Sequence, residues 1–170
     1  MNRRFVQSLH SPAQSSQGGV AAVEMGIVLG LLVVLLMAAW NFGNAIYRYD
    51  ALAKAARAAV RYLSTVELST DPGARTLDAR IIIVCGRSPT APDISPATCD
   101  KAIPDIQASM VTVQATALNP PDDLLPVTVN GVSLNMVKVQ ISNYPFTFSI
   151  PFVPLGTITF GPVSATMAGL

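Results

Sequence analysis

The stretch QGGVAAVEMGIVLGLLVVLLMAAW, residues 17–40, decides the fold. From Val20 to Trp40 it runs 21 residues with one charge, Glu24, and no proline. A helix needs about 20 apolar residues to cross the hydrocarbon core of a bilayer. The run therefore predicts a membrane-spanning helix that ends on an interfacial Trp, followed by the polar NFGN of residues 41–44. A core helix of a soluble protein is usually shorter and polar on one side. A secretory signal has an apolar run of about 7–15 residues and a small-residue cleavage site after it. Neither alternative accounts for Glu24.

An ionised carboxylate costs about 2.5–3.5 kcal/mol at the centre of a spanning helix and less toward its edge. The bland reading of Glu24 is an interfacial residue at a helix start, favoured by the helix dipole. The sharper reading gives it a dedicated cation. Residues 1–19 are polar, carry Arg3 and Arg4 and no acid, and end in the linker-like SPAQSSQGG. A cut between Gly19 and Val20 would make Glu24 the fifth residue of the mature chain. It would then lie one helical turn from the new α-amino group, on the same face.

These residues resemble a known processing site. Gly19, then Val20-Ala21-Ala22-Val23-Glu24 and an apolar helix, is similar to type IV pilins and pseudopilins. The longer block, residues 18–64, resembles TadE-like minor pseudopilins of the Tad (Flp pilus, tight adherence) machinery. The residues that carry the likeness are Phe42-Gly43, Tyr47 and Tyr49, Ala55-Ala56-Arg57, and Ala59-Val60-Arg61-Tyr62. VKVQISNYPFTF, residues 137–148, resembles the end region of such proteins. Flp pilins carry Tyr directly after the Glu, where this chain has Met25. The chain also has more than 100 residues beyond the helix, so the likeness favours a minor pseudopilin over the major subunit. The Asp-x-Ser-x-Ser metal motif of TadG-like relatives does not occur.

The resemblance implies a bacterial inner-membrane protein with a single span, cut after Gly19 by a prepilin peptidase. Its other implied partners are pilin or pseudopilin subunits and the Tad inner-membrane assembly platform. The C-terminal domain would be periplasmic, and the protein either stays in the membrane or enters the pilus. A plain count of Arg48, Lys54, Arg57 and Arg61 after the span would instead place the C-terminus in the cytoplasm. The two cysteines and the resemblance point outward. The competing reading is an uncleaved single-pass envelope anchor with a binding domain.

Composition agrees with membrane attachment. Charged residues are 12% and mean hydropathy is +0.45, against about 25% charge in ordinary soluble domains. With a net charge of +1 and no basic stripe interleaved with aromatics, nucleic acid is not an expected partner. His10 is the sole histidine and lies in the expected leader, so no His-based triad can form after the cut. Neither enzymatic activity, nor a cofactor, nor a metal site is expected. Asp122-Asp123 reads as a solvated turn. Gly26 and Gly30 form a G-x-x-x-G that would let another helix approach closely, unless the spacing is chance. Cys85 and Cys99 either pair as a disulfide, in an oxidising compartment, or stay as two thiols.

The expected fold class is α+β, with a long N-terminal helix followed by a small antiparallel sheet domain. The divisions are a leader over 1–19, a span over 20–40, an amphipathic continuation over 41–63 and an extracytoplasmic domain over 64–170. Ile46, Tyr49, Ala53, Ala56, Val60 and Leu63 recur at helical spacing. Tyr47, Asp50, Lys54, Arg57 and Arg61 form the opposing polar stripe, with Asp50 and Lys54 as an i,i+4 pair. A short helix is expected over 72–84, with a strand at the β-branched 80–84 as the alternative. A Pro-rich loop follows over 86–105. Strands are expected over 109–117, 135–144 and 157–167, with a small hairpin around Asn130-Gly131.

Overall fold

The computed structural model describes residues 17–66, 71–89, 95–116, 124–148 and 156–169. The first helix, α1, is continuous from Gln17 to Ser64. Its 48 residues span about 70 Å at 1.5 Å per residue. The apolar run and the amphipathic continuation are thus one rod. No proline interrupts it, and the Ala-rich stretch from Ala51 to Ala59 keeps helix propensity high.

Helix α2 covers Pro72–Cys85. The helical alternative wins over the strand because both ends are specified. The Asp71 carboxylate accepts from the Ala74 N–H at 3.0 Å, and Pro72 fills the first turn. Gly86 closes the helix with φ 64°, and its N–H donates to the Ile82 carbonyl at 3.0 Å. A Cβ at Gly86 would lie 2.8 Å from the Ala102 Cβ, so backbone conformation and space both require glycine here.

After a 3₁₀ turn at Ala108–Met110 come the strands β1 (Val111–Ala115), β2 (Val127–Val129), β3 (Val132–Ile141), β4 (Pro145–Thr147), β5 (Thr157–Thr159) and β6 (Val163–Gly169). Strand β3 is central and antiparallel to its neighbours. Its residues 137–141 pair with β1, residues 135–141 with β6, and residues 132–134 with β2. The β2–β3 hairpin turns at Asn130-Gly131, both at positive φ as a type I′ turn requires. Strands β4 and β5 form a separate two-stranded arm.

Both helices pack on the sheet: α1 on β3 and β6, α2 on α1 and β1. Val111 and Ala115 of β1 and Val137, Val139 and Ile141 of β3 face that layer and are buried. Thr112, Gln114, Lys138 and Gln140 alternate onto the opposite face, as the period of two demands. A long helix followed by an antiparallel sheet domain is the expected class.

Four details differ from expectation. The buried face of α1 is Ala45, Leu52, Ala56, Ala59, Val60 and Leu63, while Ile46 and Tyr49 are about half exposed. Alanines at 51, 53, 55, 56, 58 and 59 blur the apolar edge of this part of the helix, and Leu52 sets the azimuth. The first strand starts at Val111, because residues 108–110 form the 3₁₀ turn. The second starts earlier and stops at Ile141, where Asn143 at φ 58° turns the chain into the unexpected β4. The expected strand 157–167 is two strands, broken at Phe160-Gly161-Pro162 where the chain leaves the arm for the main sheet. The exposed Asp50–Lys54 pair forms at 2.7 Å. Asp122-Asp123, His10, Arg3 and Arg4 lie outside the described residues.

Candidate functional site

The amino half of α1 is the first part of the site. Val20, Val23, Met25, Ile27 and Val28 are all exposed, and so are the large apolar residues that follow through Met37, except the half-buried Val34. By length and composition this helix is long and apolar enough to cross a membrane. Gly19 and Val20 lie in its first turn. Glu24 is four residues beyond Val20 and on its face, about 6 Å further along the axis. Among the described residues Glu24 makes no ion pair. Because α1 starts at Gln17, Glu24 sits two turns in, and no acid occupies the first turn. The dipole acts mainly within the first turn.

Gly26 and Gly30 are one turn apart on one face. A Cβ built at either meets nothing within 4 Å. They leave a shallow notch in the rod that no other part of the described chain fills.

The second part of the site is a clasp where α1 enters the domain, and sequence reasoning missed it. Arg48 takes the position between Ala45 and Leu52 on the buried side. Its guanidinium donates to Asp105 Oδ2 and to the Tyr144 hydroxyl, both at 3.4 Å, and lies 5.3 Å from the Phe146 ring centre. The Tyr144 hydroxyl donates in turn to the Pro104 carbonyl at 2.6 Å. Phe160 stacks on Tyr144 and Phe146 at 5.6 and 5.7 Å, and Tyr49 meets it edge-on at 5.9 Å. One arginine on the apolar side of the stripe was the available signal. Its partners come from 57 and 96 residues away, which no local pattern reveals.

Cys85 and Cys99 are joined by a disulfide with a Cα–Cα distance of 5.7 Å. The bond anchors the segment that carries Pro104 and Asp105 to the end of α2. Ala102 N–H adds a bond to the Val84 carbonyl at 2.8 Å.

Higher on α1, the Tyr62 hydroxyl donates to Asp78 at 3.1 Å, and Arg75 donates to the same oxygen at 3.3 Å. Burial first, and then the adjacent Asp78, raise the Tyr62 pKa above its ordinary value. Among the described residues, no group of three or more His, Cys, Asp or Glu could hold a metal ion. These polar networks tie elements together.

Comparison with known proteins places the likeness on the rod. Residues 19–61 match the family model described as TadE-like protein. The match begins at the glycine of the expected cut and ends inside the domain-packed part of α1. The C-terminal segment 137–148 lies outside it and is, structurally, the end of β3, the turn and β4. No curated protein and no solved structure matches the chain. From Gly19 to Arg61, along the helix that holds Glu24, the glycine notch and Arg48, the chain is similar to the TadE-like family.

Proposed function

We propose that the protein is a minor pseudopilin-like subunit that assembles or primes a Tad/Flp pilus after a prepilin peptidase cuts between Gly19 and Val20. The family match supports the coarser statement, a Tad pilus-related membrane protein. The observation that carries the finer one is the placement of Glu24. In the uncut helix it is two turns from the end, exposed, and on a surface otherwise fit for lipid. Cutting at Val20 brings the same residue to the edge of the first turn, closer to the end where the dipole favours a carboxylate. The cut also creates an α-amino group one turn away, within the chain or on a neighbouring subunit. One hydrolysis thus turns an unfavourable charge into half of an ion pair.

The other partners in this reading are pilin or pseudopilin subunits, which would use the exposed face with Gly26 and Gly30, and the inner-membrane assembly platform. The disulfide favours an oxidising compartment for the domain, so the C-terminal domain is periplasmic in this reading. The competing reading, an uncleaved envelope anchor, draws on α1 running unbroken through the Gly19–Val20 bond. Intact mass and N-terminal sequencing of the protein from cells with an active prepilin peptidase separate the two. A chain starting at Val20 is expected. One starting at Met1 refutes the processing step.

A further inference from the structure

We infer that the sheet domain rests on the bilayer, with the β4–β5 arm and the α1 surface around Trp40 in the lipid headgroup layer. This rests on the anchor reading above and goes beyond it, because an anchor by itself could hold the domain away on a stalk.

The argument starts from depth. Glu24 and Trp40 are 16 residues apart, about 24 Å along the axis, against a hydrocarbon core of about 30 Å. With Trp40 at the far boundary, Glu24 lies about 6 Å inside the near one, within reach of water. Sliding the helix until Leu36 marks the far boundary takes Glu24 about 12 Å in. That is close to the midplane, where a carboxylate costs about 2.5–3.5 kcal/mol. Glu24 therefore holds the far boundary near Trp40.

The domain reaches that level. Asn41 is 7% exposed and Ala45 8%, so the fold covers α1 up to the residue next to Trp40. Thr147 of β4 lies on the wall of one groove with Trp40 and Asn41, and the groove extends to Met37 and Leu36. No free length of α1 remains between membrane boundary and domain. The headgroup region adds only about 5–7 Å on each side, which the end of the arm must share.

The surfaces at this level suit it. Trp40 is 77% exposed at the boundary, and Tyr47, 73% exposed on the same face about 10 Å further along the axis, stands just outside the headgroups; the two flank an open groove over Gly43. Trp and Tyr favour the membrane–water interface, where an apolar ring and a polar edge are both satisfied. Phe42, Ile46 and Ile158 add exposed apolar area. At the end of the paired strands, the Thr147 and Thr157 hydroxyls bond each other at 3.0 Å.

Trp40 is the only tryptophan, so fluorescence can read depth directly. The purified full chain would be reconstituted in phosphatidylcholine vesicles with brominated acyl chains as quencher. Four variants move the probe: Trp40→Phe combined with Val28→Trp, Thr147→Trp, Ile158→Trp or Val129→Trp. Quenching at 28 reports the anchor. Quenching at 147 or 158, comparable to that of Trp40 in the wild type, with none at 129, is the expected result. Quenching at 28 with 147 and 158 as unquenched as 129 overturns the docking and leaves the anchor standing. No quenching at 28 removes the anchor itself. Two arm positions guard against one substitution disturbing the fold.

Discussion

Replacing Cys85 and Cys99 together with Ala should cost the domain about 3 kcal/mol. The bond joins residues 14 apart, a closed loop of 15 residues counting both ends. On the chain-entropy model such a loop removes about 10 cal/mol/K from the unfolded chain, or about 3 kcal/mol at 25 °C. The native side of the change is small, because Ala keeps the Cβ of the buried Cys85. The loss has a definite place. The tethered segment supplies Ile103 and Ile106 to the core, Pro104 to the Tyr144 hydroxyl and Asp105 to Arg48. Urea unfolding in detergent micelles, followed by near-ultraviolet circular dichroism of the packed tyrosines, isolates the domain from the micelle-bound helix. With a slope of about 1–3 kcal/mol/M, the midpoint should fall by about 1–3 M. A thiol reductant should reproduce the shift in the wild type and leave the double variant unchanged. An unchanged midpoint at unchanged slope would refute the assignment of this bond as the tether of the clasp.

Glu24→Gln should leave membrane insertion intact and impair pilus assembly, scored by surface piliation. Normal piliation of that variant would end the charge-pairing idea. Leu52→Ala should destabilise the domain by about 2–5 kcal/mol, because Leu52 is fully buried, whereas Ile46→Ala should stay within about 0.5 kcal/mol. Equal effects in the same denaturation assay would contradict the azimuth given for α1. The raised Tyr62 pKa contributes stability that is complete below the unfolded value of about 10 and is lost as pH rises through the folded value. Tyr62→Phe should therefore flatten the alkaline decline in melting temperature, and an identical decline in both proteins would rule the Tyr62–Asp78 contact out as its cause.

Signals that are local and periodic could be read from the sequence. The apolar run, the α2 caps at Asp71, Pro72 and Gly86, and the Asn130-Gly131 turn each act within a few residues. The alternation of Val137, Val139 and Ile141 likewise declares a strand with one buried face. Two kinds of information were hidden. The azimuth of α1 near Leu52 depends on where the sheet docks, and the alanines between 51 and 59 blur the apolar edge that would otherwise set it. The β4–β5 arm consists of two three-residue strands set off by Asn143 and Pro162, too short to show a period. The Arg48 clasp belongs to the second kind as well, since Asp105 and Tyr144 meet it only after the chain has folded. At the candidate site, the reading of Gly19, Val20 and Glu24 rests on a spacing along one helix, and that spacing is a local signal.

The unbroken helix also acts as an angular index. At about 100° per residue, the 26 residues from Gly26 to Leu52, or from Gly30 to Ala56, rotate the face by about 80° modulo full turns. A neighbouring helix seated on the glycines would therefore find the sheet about a quarter-turn around the rod. The membrane half of the molecule thus sets the compass bearing of the domain. One residue inserted between Leu31 and Leu36 would swing that bearing by about 100° while leaving both ends chemically unchanged. The spacing between Glu24 and Arg48 is then a rotational setting as well as a length.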